Sequence, residues 1–304
     1  MQYNAHLQMH GCPIRAHCSN IAAAKCVCGK GRAPGVNKMS TLKSISYVLN
    51  RFVLQRKFLM AEVGDLRFRV KTEDVVGRHI YKYGQHEPEM SEFLRHTVKV
   101  RDGDLLIDIG ANIGWYSMLF DRVCAGTDAK VVSFEPDPTN YGMLQENIAL
   151  NAASHVHPFQ LGLSDNDAGA ALHRFSDSNL GRHSMLPIND HGSVNVETAR
   201  LDDVLAAAGY AERQPRLIKI DIEGFELVAL RGAPATLRRC PLVILEYSPT
   251  YMRQGGIEPA ALLHYMAELG FDAAVLRDGA PQAVTIDELA QNEIQQDIIW
   301  TRAE

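Results

Sequence analysis

The 304-residue sequence has no apolar run near the roughly 18 residues that a membrane-spanning helix needs. Its N-terminus lacks the apolar core of a secretory signal, so we expect a cytoplasmic protein without a stable membrane span. The formal charge of −5 gives no broad attraction to nucleic acid, and no nucleic-acid partner is predicted. Hydrophobic content of 46% is ordinary for a soluble globular protein, and the length suits one large domain plus an appendage.

Cysteine is scarce beyond the N-terminus, where four of the six occur: Cys12, Cys18, Cys26 and Cys28. The spacings C-x5-C and C-x-C match none of the usual zinc patterns, so no metal site is predicted. The segment has no apolar periodicity, and Met39 opens the first periodic stretch. We therefore expect residues 1–38 to be an extension that is disordered or precedes the natural start. Cys124 and Cys240 are expected in the core as small buried side chains.

The most informative stretch is Asp104–Phe120. Its first six residues, Asp104–Ile109, are mostly branched and apolar, which predicts a strand buried on both faces. The strand enters a helix through a turn built on Gly110, Asn112 and Gly114. Such a turn exposes backbone N–H groups at the positive end of the helix, and its small residues let a ligand approach. A dinucleotide fold would need G-x-G-x-x-G, but Asn112 stands at the second glycine and no glycine follows Gly114 by three residues.

The spacing Asp108-x-Gly110-x-Asn112-x-Gly114 instead resembles the first motif of class I S-adenosylmethionine (SAM) methyltransferases. In those enzymes the acid lies near the methionine amino group and the glycines line the ligand. A second buried strand ends in Glu135, about 20 residues past the turn, where a ribose-binding acid is expected. An ionised carboxylate accepts hydrogen bonds from both ribose hydroxyls. Glu135 therefore indicates a nucleoside ligand without choosing between SAM and a dinucleotide.

The stretch Leu217–Ala233, which contains Lys-Ile-Asp221-Ile-Glu223-Gly, makes that choice. With the glycine turn and Phe-Glu135-Pro, it resembles the FkbM family of SAM-dependent methyltransferases. The flanking motifs that match as well are Tyr83-x-x-x-Glu87-Pro88-Glu89, Leu201-Asp202-Asp203 and Val243-Ile-Leu-Glu246. The resemblance covers about Tyr81 to Trp300. It implies SAM as cofactor and O-methylation of a hydroxyl on a sugar, glycan or polyketide-like small molecule.

The resemblance also implies an architecture. The predicted strands and helices alternate, which favours a parallel sheet. We expect an α/β, Rossmann-like class I SAM-methyltransferase fold in residues 96–304, with a seven-stranded, mostly parallel sheet flanked by helices. Residues 39–95 would form an N-terminal helix, a strand and a cap region, in which Glu87 helps to cover the cofactor. Asp165, after the third strand of the sheet, is the candidate partner of the adenine amino group, although a turn-forming Asp is the alternative.

A basic helix is predicted over Thr41–Met60, with Leu42, Ile45 and Leu49 roughly on one side. Such a helix could lie on a membrane surface. Packing on its own domain, or on a second subunit in a homo-oligomer, is favoured. Leu66–Lys71 alternates basic and apolar residues, which predicts a half-exposed strand.

Candidate catalytic residues follow from the position of Asp221 and Glu223 at the carboxyl end of a parallel strand, where such sheets bind ligands. These carboxylates could accept a proton, bind the hydroxyl substrate, or hold a metal with Glu246. Strand alternation places Lys219 and Asp221 on one face, so Lys219 is a catalytic candidate or simply the ion-pair partner of Asp221. His183, in the long polar segment Ser176–Gly192, is the competing base because its ordinary pKa suits proton transfer at neutral pH.

Two alternatives from other functional classes stay open at this point. A nucleotide-dependent oxidoreductase of Rossmann type would share Glu135, but Asn112 disfavours it. A non-catalytic cofactor-binding scaffold would share the glycine turn, but the carboxylates at the sheet edge disfavour it.

Overall fold

The structure is a computed structural model that describes residues 38–174, 183–187 and 192–302. The strands are β1 (Phe58–Val63), β2 (Leu66–Lys71), β3 (Asp104–Ile109), β4 (Lys130–Phe134), β5 (Val156–Phe159), β6 (Gly162–Leu163), β7 (Ala170–His173), β8 (Ser193–Val196), β9 (Thr198–Ala199), β10 (Gln214–Ile220), β11 (Leu242–Tyr247), β12 (Asp272–Arg277), β13 (Ala280–Ala283) and β14 (Gln296–Thr301). The helices are α1 (Lys38–Val48), α2 (Val75–Tyr83), α3 (Pro88–Thr97), α4 (Trp115–Val123), α5 (Pro138–Asn151), α6 (Leu201–Ala207), α7 (Glu226–Arg231), α8 (Pro234–Arg239), α9 (Pro249–Gln254), α10 (Pro259–Glu268) and α11 (Ile286–Ala290).

Eight of these strands form one sheet in the order β13-β12-β14-β11-β10-β3-β4-β5. The pairs from β5 to β11 are parallel, whereas β14 runs antiparallel between β11 and β12. This confirms the mostly parallel α/β sheet that the sequence predicts. The eighth strand, β13, is a short exposed edge strand paired with β12, and it adds to the seven that the sequence predicts.

Both faces of the sheet are buried, as continuous apolar strands require. Successive residues point to opposite sides, so Ile107 and Leu106 of β3 enter different cores. One core contains α6, α7, α8 and α10 and includes Leu262. The other contains α4, the β1–β2 hairpin and α2, with Phe68 and Phe120 fully buried. The N-terminal cap therefore shares a core with the sheet.

The prediction of one helix over Thr41–Met60 is wrong beyond Val53. A five-residue π-helix, Leu49–Val53, continues α1, and the chain then enters β1. β1 pairs with β2 through the turn at Gly64, whose φ is +60°. Leu59, which fits the helical spacing, is instead buried by this hairpin. Long-range pairing thus overrides the local periodicity.

The free edge of β2 is covered by two asparagines of α5. The side-chain oxygens of Asn147 and Asn151 accept from the N–H groups of Arg69 and Arg67 at 2.7 and 2.8 Å. The amide nitrogen of Asn151 donates to the Arg67 carbonyl at 2.7 Å. These side chains take the place of a neighbouring strand and attach the hairpin to the α/β domain.

The predicted strand Leu66–Lys71 is confirmed with the predicted bounds. Cys124 and Cys240 are buried and free, as predicted. No helix of the described ranges is long and apolar enough to cross a bilayer. The cysteine-rich residues 1–37, and residues 175–182 and 188–191 of the polar segment, lie outside the described residues.

Candidate active site

A cavity of about 450 Å³ opens at the carboxyl ends of β3, β4, β10 and β11. Part of the remaining wall comes from α2 and the turn that follows it, including Val76, His79 and Glu87. Nine of the predicted site residues line it: Glu87, Asp108, Gly110, Asn112, Glu135, His183, Lys219, Asp221 and Glu223. The topology thus brings together motifs that lie more than 100 residues apart in the sequence.

The glycine turn between β3 and α4 depends on backbone conformations that favour glycine. Gly110 and Gly114 have φ values of +82° and +91°, and Asn112 also lies in the left-handed region with φ +51°. A Cβ on Gly110 would lie 2.0 Å from the backbone oxygen of Asp221, so β3 and β10 approach too closely for any side chain. Gly114 does not line the cavity, and a Cβ there would lie 2.6 Å from Leu144.

Glu135 is 5% exposed and holds this turn from the end of β4. Its two oxygens accept from the backbone N–H of Asn112 at 2.8 Å and of Asp137 at 2.9 Å. Burial raises the pKa of Glu135 to about 8, although these two hydrogen bonds favour the ionised form. Each oxygen keeps acceptor capacity toward the cavity, as a ribose-binding carboxylate needs.

Asp108 is also buried, next to the turn. Its carboxylate accepts from Ser117 Oγ of α4 at 2.6 Å, and Ser117 in turn contacts Ser133 Oγ at 2.8 Å. Burial raises the pKa of Asp108 to about 6, against the effects of Ser117 and of the Lys219 ammonium. Asp108 is therefore a fixed carboxylate suited to a cationic partner.

Lys219 is 1% exposed and is held by two carboxylates. Its Nζ lies 3.2 Å from Asp297 Oδ1 and 3.7 Å from Asp221 Oδ2. Burial disfavours the charged ammonium, but Asp297, Asp221 and Glu87 outweigh it and raise the pKa of Lys219 well above its ordinary value. The ion pair with Asp221 that the sequence offers as an alternative is thus present, and Lys219 stays protonated.

Three carboxylates line the same cavity close together: Asp221, Glu223 and Glu246 each offer an oxygen within 4.8 Å of the others. Glu223 has φ +53° and accepts from Gln295 Nε2 at 3.1 Å. Burial and the charges of Asp221 and Glu223 raise the pKa of Glu246 well above its ordinary value, which favours its protonated form. The spacing would suit oxygen ligands around one divalent cation, one of the roles that the sequence leaves open for these carboxylates.

The buried side chain of Glu226 holds the loop that carries Glu223 in place. This side chain is fully buried, and its Oε1 accepts from the backbone N–H of Ile222 and Gly224, both at 3.1 Å. Burial raises the pKa of Glu226 to about 7. Ser184, next to His183, donates to the Glu223 carbonyl at 2.9 Å and brings the polar segment to the same place.

On the cap side, Glu87 accepts a hydrogen bond from the hydroxyl of Tyr116. Burial, reinforced by the Glu87 charge, raises the pKa of Tyr116 well above its ordinary value. The neighbouring Trp115 stacks on Phe68 at 5.4 Å and donates from its indole nitrogen to Ser91 Oγ at 2.9 Å. These contacts position the cap against the glycine turn.

Asp165 is exposed and lies outside the cavity lining. Its Oδ1 accepts from Asn166 Nδ2 at 2.6 Å, an arrangement typical of a turn. Its predicted contact with adenine stays a prediction.

Sequence reasoning missed Asp297, Tyr116 and Gln295. Asp297 of β14 is paired with Glu246 of β11. In the sequence, the feature that could have identified Asp297 is a single acidic residue near the start of an otherwise apolar strand. Tyr116 is indistinguishable from a core aromatic in sequence, because its contact with Glu87 depends on the cap. Gln295 carries no signal that a single sequence reveals.

Comparison with known protein families agrees with this geometry. A family model described as the methyltransferase FkbM domain matches residues 108–273, which is more than half of the chain. The match begins at Asp108 and includes Glu135, Lys219, Asp221 and Glu246.

Individual relatives have methyl transfer in common. Hexuronic acid methyltransferase AglP of Haloferax volcanii is 25% identical over 213 residues, which cover 70% of this chain and 81% of that protein. The 31-O-demethyl-FK506 methyltransferase FkbM of Streptomyces tacrolimicus is 29% identical over 170 residues, covering 46% of this chain and 63% of the relative. The crystal structure of methyltransferase FkbM from Methylobacillus flagellatus matches with a TM-score of 0.43 and 19% identity, over 67% of this chain and 45% of that chain.

Proposed function

The chain belongs to the FkbM family of methyltransferases, and from that premise we propose that it transfers the methyl group of SAM to a hydroxyl oxygen of a sugar, glycan or polyketide-like small molecule. One observation supports this most strongly. A single cavity contains the Glu135 and Asp108 carboxylates, suited to a nucleoside that carries an amino acid, and the Asp221 and Glu223 carboxylates, suited to a hydroxyl acceptor.

The donor set of the cavity fits SAM. Glu135 has acceptor capacity for ribose hydroxyls, and buried Asp108 suits the ammonium of the methionine part. The side-chain oxygen of Asn112 is buried without a hydrogen-bond partner at the turn, which leaves an acceptor for a polar ligand. When bound, SAM supplies a methyl group on a positively charged sulfur that an oxygen nucleophile can displace.

The remaining task of the protein is to orient the acceptor and remove its proton. We assign proton acceptance to Asp221 with Glu223, because both carboxylates line the cavity at the end of β10. Lys219 is a positioning residue: its raised pKa keeps it protonated, and its ammonium orients the Asp221 carboxylate from 3.7 Å. His183 lines the same cavity and is the competing base.

The acceptor class rests on the relatives. The relative from Haloferax volcanii is named for hexuronic acid and the relative from Streptomyces tacrolimicus for a 31-O-demethyl substrate, so a hydroxyl or a carboxyl of such molecules is the group to test. A hydroxyl suits the cavity better, because the Asp221 and Glu223 carboxylates would repel an acceptor carboxylate. Neither the oxidoreductase nor the non-catalytic scaffold has support among these relatives.

Ligand choice tests the cofactor assignment. We expect SAM and its demethylated product to bind with roughly micromolar affinity in calorimetry, and NAD not to bind. The reason is that Asn112 occupies the position where a dinucleotide turn needs a glycine. A preference for NAD would contradict the proposal.

The acceptor is found by incubating the protein with methyl-labelled SAM and sets of hexuronic acids, neutral sugars, glycans and polyketide lactones. Label should appear on a hydroxyl oxygen with Asp221→Asn as the inactive control. SAM binding without transfer to any hydroxyl would refute the acceptor class and leave the cofactor assignment intact.

A further inference from the structure

The N-terminal helical segment, residues 42–54, turns its apolar side chains outward. Its apolar residues are 48–68% exposed: Leu42, Ile45, Val48, Leu49, Phe52, Val53 and Leu54. A helix on a globular protein ordinarily buries this face against the core. Seven large apolar side chains within thirteen residues form a contiguous exposed patch of the kind that marks an interaction surface.

Polar groups attach this segment to the domain. Tyr47, the one fully enclosed side chain of the segment, donates its hydroxyl hydrogen bond to the Thr72 carbonyl. Arg51 donates to the same carbonyl at 2.8 Å, and Ser46 Oγ lies 3.0 Å from the Tyr81 hydroxyl of α2. These polar contacts hold the helix in place. The apolar side chains stay exposed and are not buried by any other part of the described chain.

The charge distribution indicates which kind of surface this apolar face binds. Residues 1–61 contain nine of the 31 Lys and Arg residues and none of the 36 Asp and Glu residues. The rest of the chain therefore has 22 basic and 36 acidic residues, a net charge of −14. Lys43, Arg51, Arg56 and Lys57 lie among or directly after the apolar residues in sequence. Apolar side chains flanked by cations, in a stretch of sequence without Asp or Glu, match the interface of an anionic lipid bilayer.

We propose that residues 42–57 dock the protein on an anionic membrane surface, with the apolar patch inserted among the lipids and the flanking cations at the headgroups. A second copy fits less well, because a two-fold contact would place two basic, acid-free segments against each other. Residues 1–37 are also free of acids, so they bring no countercharge. Nucleic acid would satisfy the cations but not the seven apolar side chains.

The docking segment lies one helix away from the cavity. α2 contacts Ser46 and Tyr47 on one side, and its residues Val75, Val76 and His79 line the cavity on the other. A membrane at the docking segment would therefore lie close to the cavity, where an acceptor attached to a lipid could reach it.

Vesicle flotation with the full-length chain tests the proposal. We expect binding to vesicles of phosphatidylcholine with about one third phosphatidylglycerol, and much weaker binding to phosphatidylcholine alone. Leu49→Glu and Phe52→Glu should each lower the partition coefficient by about tenfold or more, because an inserted apolar side chain is lost. The matched control is Ile294→Glu, which replaces a 69% exposed apolar residue elsewhere on the surface and should bind like the unaltered protein.

Thermal unfolding of each variant verifies that the fold is retained. Failure of the full-length protein to bind anionic vesicles would overturn the proposal. Binding that vanishes at about 0.5 M salt yet is unaffected by both substitutions would show attraction by charge alone, and would also overturn it. Dimers in sedimentation that Phe52→Glu dissociates, without vesicle binding, would assign the patch to a second copy instead.

A fluorescence probe separates insertion from surface attraction. The two tryptophans, Trp115 and Trp300, are buried at 5% and 0% exposure, so Phe52→Trp adds a distinct exposed reporter. Its emission should shift to the blue on adding anionic vesicles and be quenched by lipids brominated on their acyl chains. Bound protein whose added tryptophan is not quenched would contradict insertion.

Discussion

Three buried carboxyl groups, Asp108, Glu135 and Glu226, keep their protons to higher pH than free carboxyls do. Burial raises their pKa values to about 6, 8 and 7. The native protein then binds more protons than the unfolded chain between each ordinary pKa and its raised value. The contribution of these groups to the free energy of unfolding therefore falls as the pH rises from about 4 to about 8.

Cofactor binding should release a proton from Glu135. At pH 7 the free carboxyl is mostly protonated, whereas hydroxyl donors from a bound ribose favour the ionised form. We expect calorimetry at pH 7 in two buffers of different ionisation enthalpy to show proton release, and SAM affinity to rise from pH 6 to pH 8. Glu135→Ala should abolish the release and weaken binding by about ten- to a hundredfold, the worth of a charge-assisted hydrogen bond.

The control for Glu135 is Glu268→Ala, an exposed glutamate at the end of α10, which should change neither quantity. Proton uptake on SAM binding would contradict the assignment of Glu135 to the ribose.

Asp221 and Glu223 are predicted to act on the acceptor and not on the cofactor. Asp221→Asn and Glu223→Gln keep the side-chain size, so methyl transfer should fall by about 10²- to 10⁴-fold while SAM affinity changes little. Single-turnover transfer rates and calorimetry on the same preparations measure the two effects.

His183→Ala distinguishes the competing base. If His183 takes the proton, this variant shows the large rate loss and the carboxylate variants only a modest one. A chelator that abolishes transfer, with rescue by a divalent cation, would make Asp221, Glu223 and Glu246 metal ligands. Loss of SAM binding in proportion to activity would place the substituted carboxylate in the cofactor pocket.

At the scale of elements, the approach of β3 to β10 is set by one glycine. Gly110→Ala would place a Cβ 2.0 Å from the Asp221 backbone oxygen, so the ends of the two strands must separate. We expect a loss of stability beyond the roughly 1–2 kcal/mol of left-handed strain, together with loss of SAM binding. Chemical unfolding and calorimetry measure both.

Gly103→Ala is the matched control because Gly103 precedes the same strand and also has φ +82°, but no atom lies within 4 Å of its added Cβ. This variant should show the backbone strain alone and bind SAM normally. Equal behaviour of the two variants would mean that the close approach has no role.

The sequence predicts best those elements whose pattern of apolar residues matches the burial of their faces in the fold. β3, β4 and β10 are apolar on both faces and are buried on both. The sequence did not predict β1 because apolar residues recur at helix-like spacing from α1 into β1. The end of the helix is therefore not visible in the apolar pattern. The same limit applies to the site: Asp221 follows from strand alternation, whereas Asp297 reaches Lys219 through antiparallel pairing that local sequence does not encode.

At the scale of the whole molecule, the cap and the methyltransferase fold share one core, and Asn147 connects them to the site. Its side-chain oxygen accepts from the Arg69 N–H of the hairpin at 2.7 Å. Its amide nitrogen donates to the Ile113 carbonyl of the glycine turn at 2.8 Å. Asn151, one helical turn later, binds the hairpin at Arg67 but not the glycine turn.

We therefore expect Asn147→Ala to lower the free energy of unfolding by about 1–3 kcal/mol, because it leaves a buried carbonyl and an edge N–H without partners. Unfolding should stay a single transition, since residues 40–304 form one compact unit. SAM affinity should fall as well, because the turn loses its support at Ile113. Asn151→Ala should cost similar stability but leave SAM affinity nearly unchanged. Two separate transitions, or equal effects of both variants on SAM binding, would show that cap and site are not coupled through Asn147.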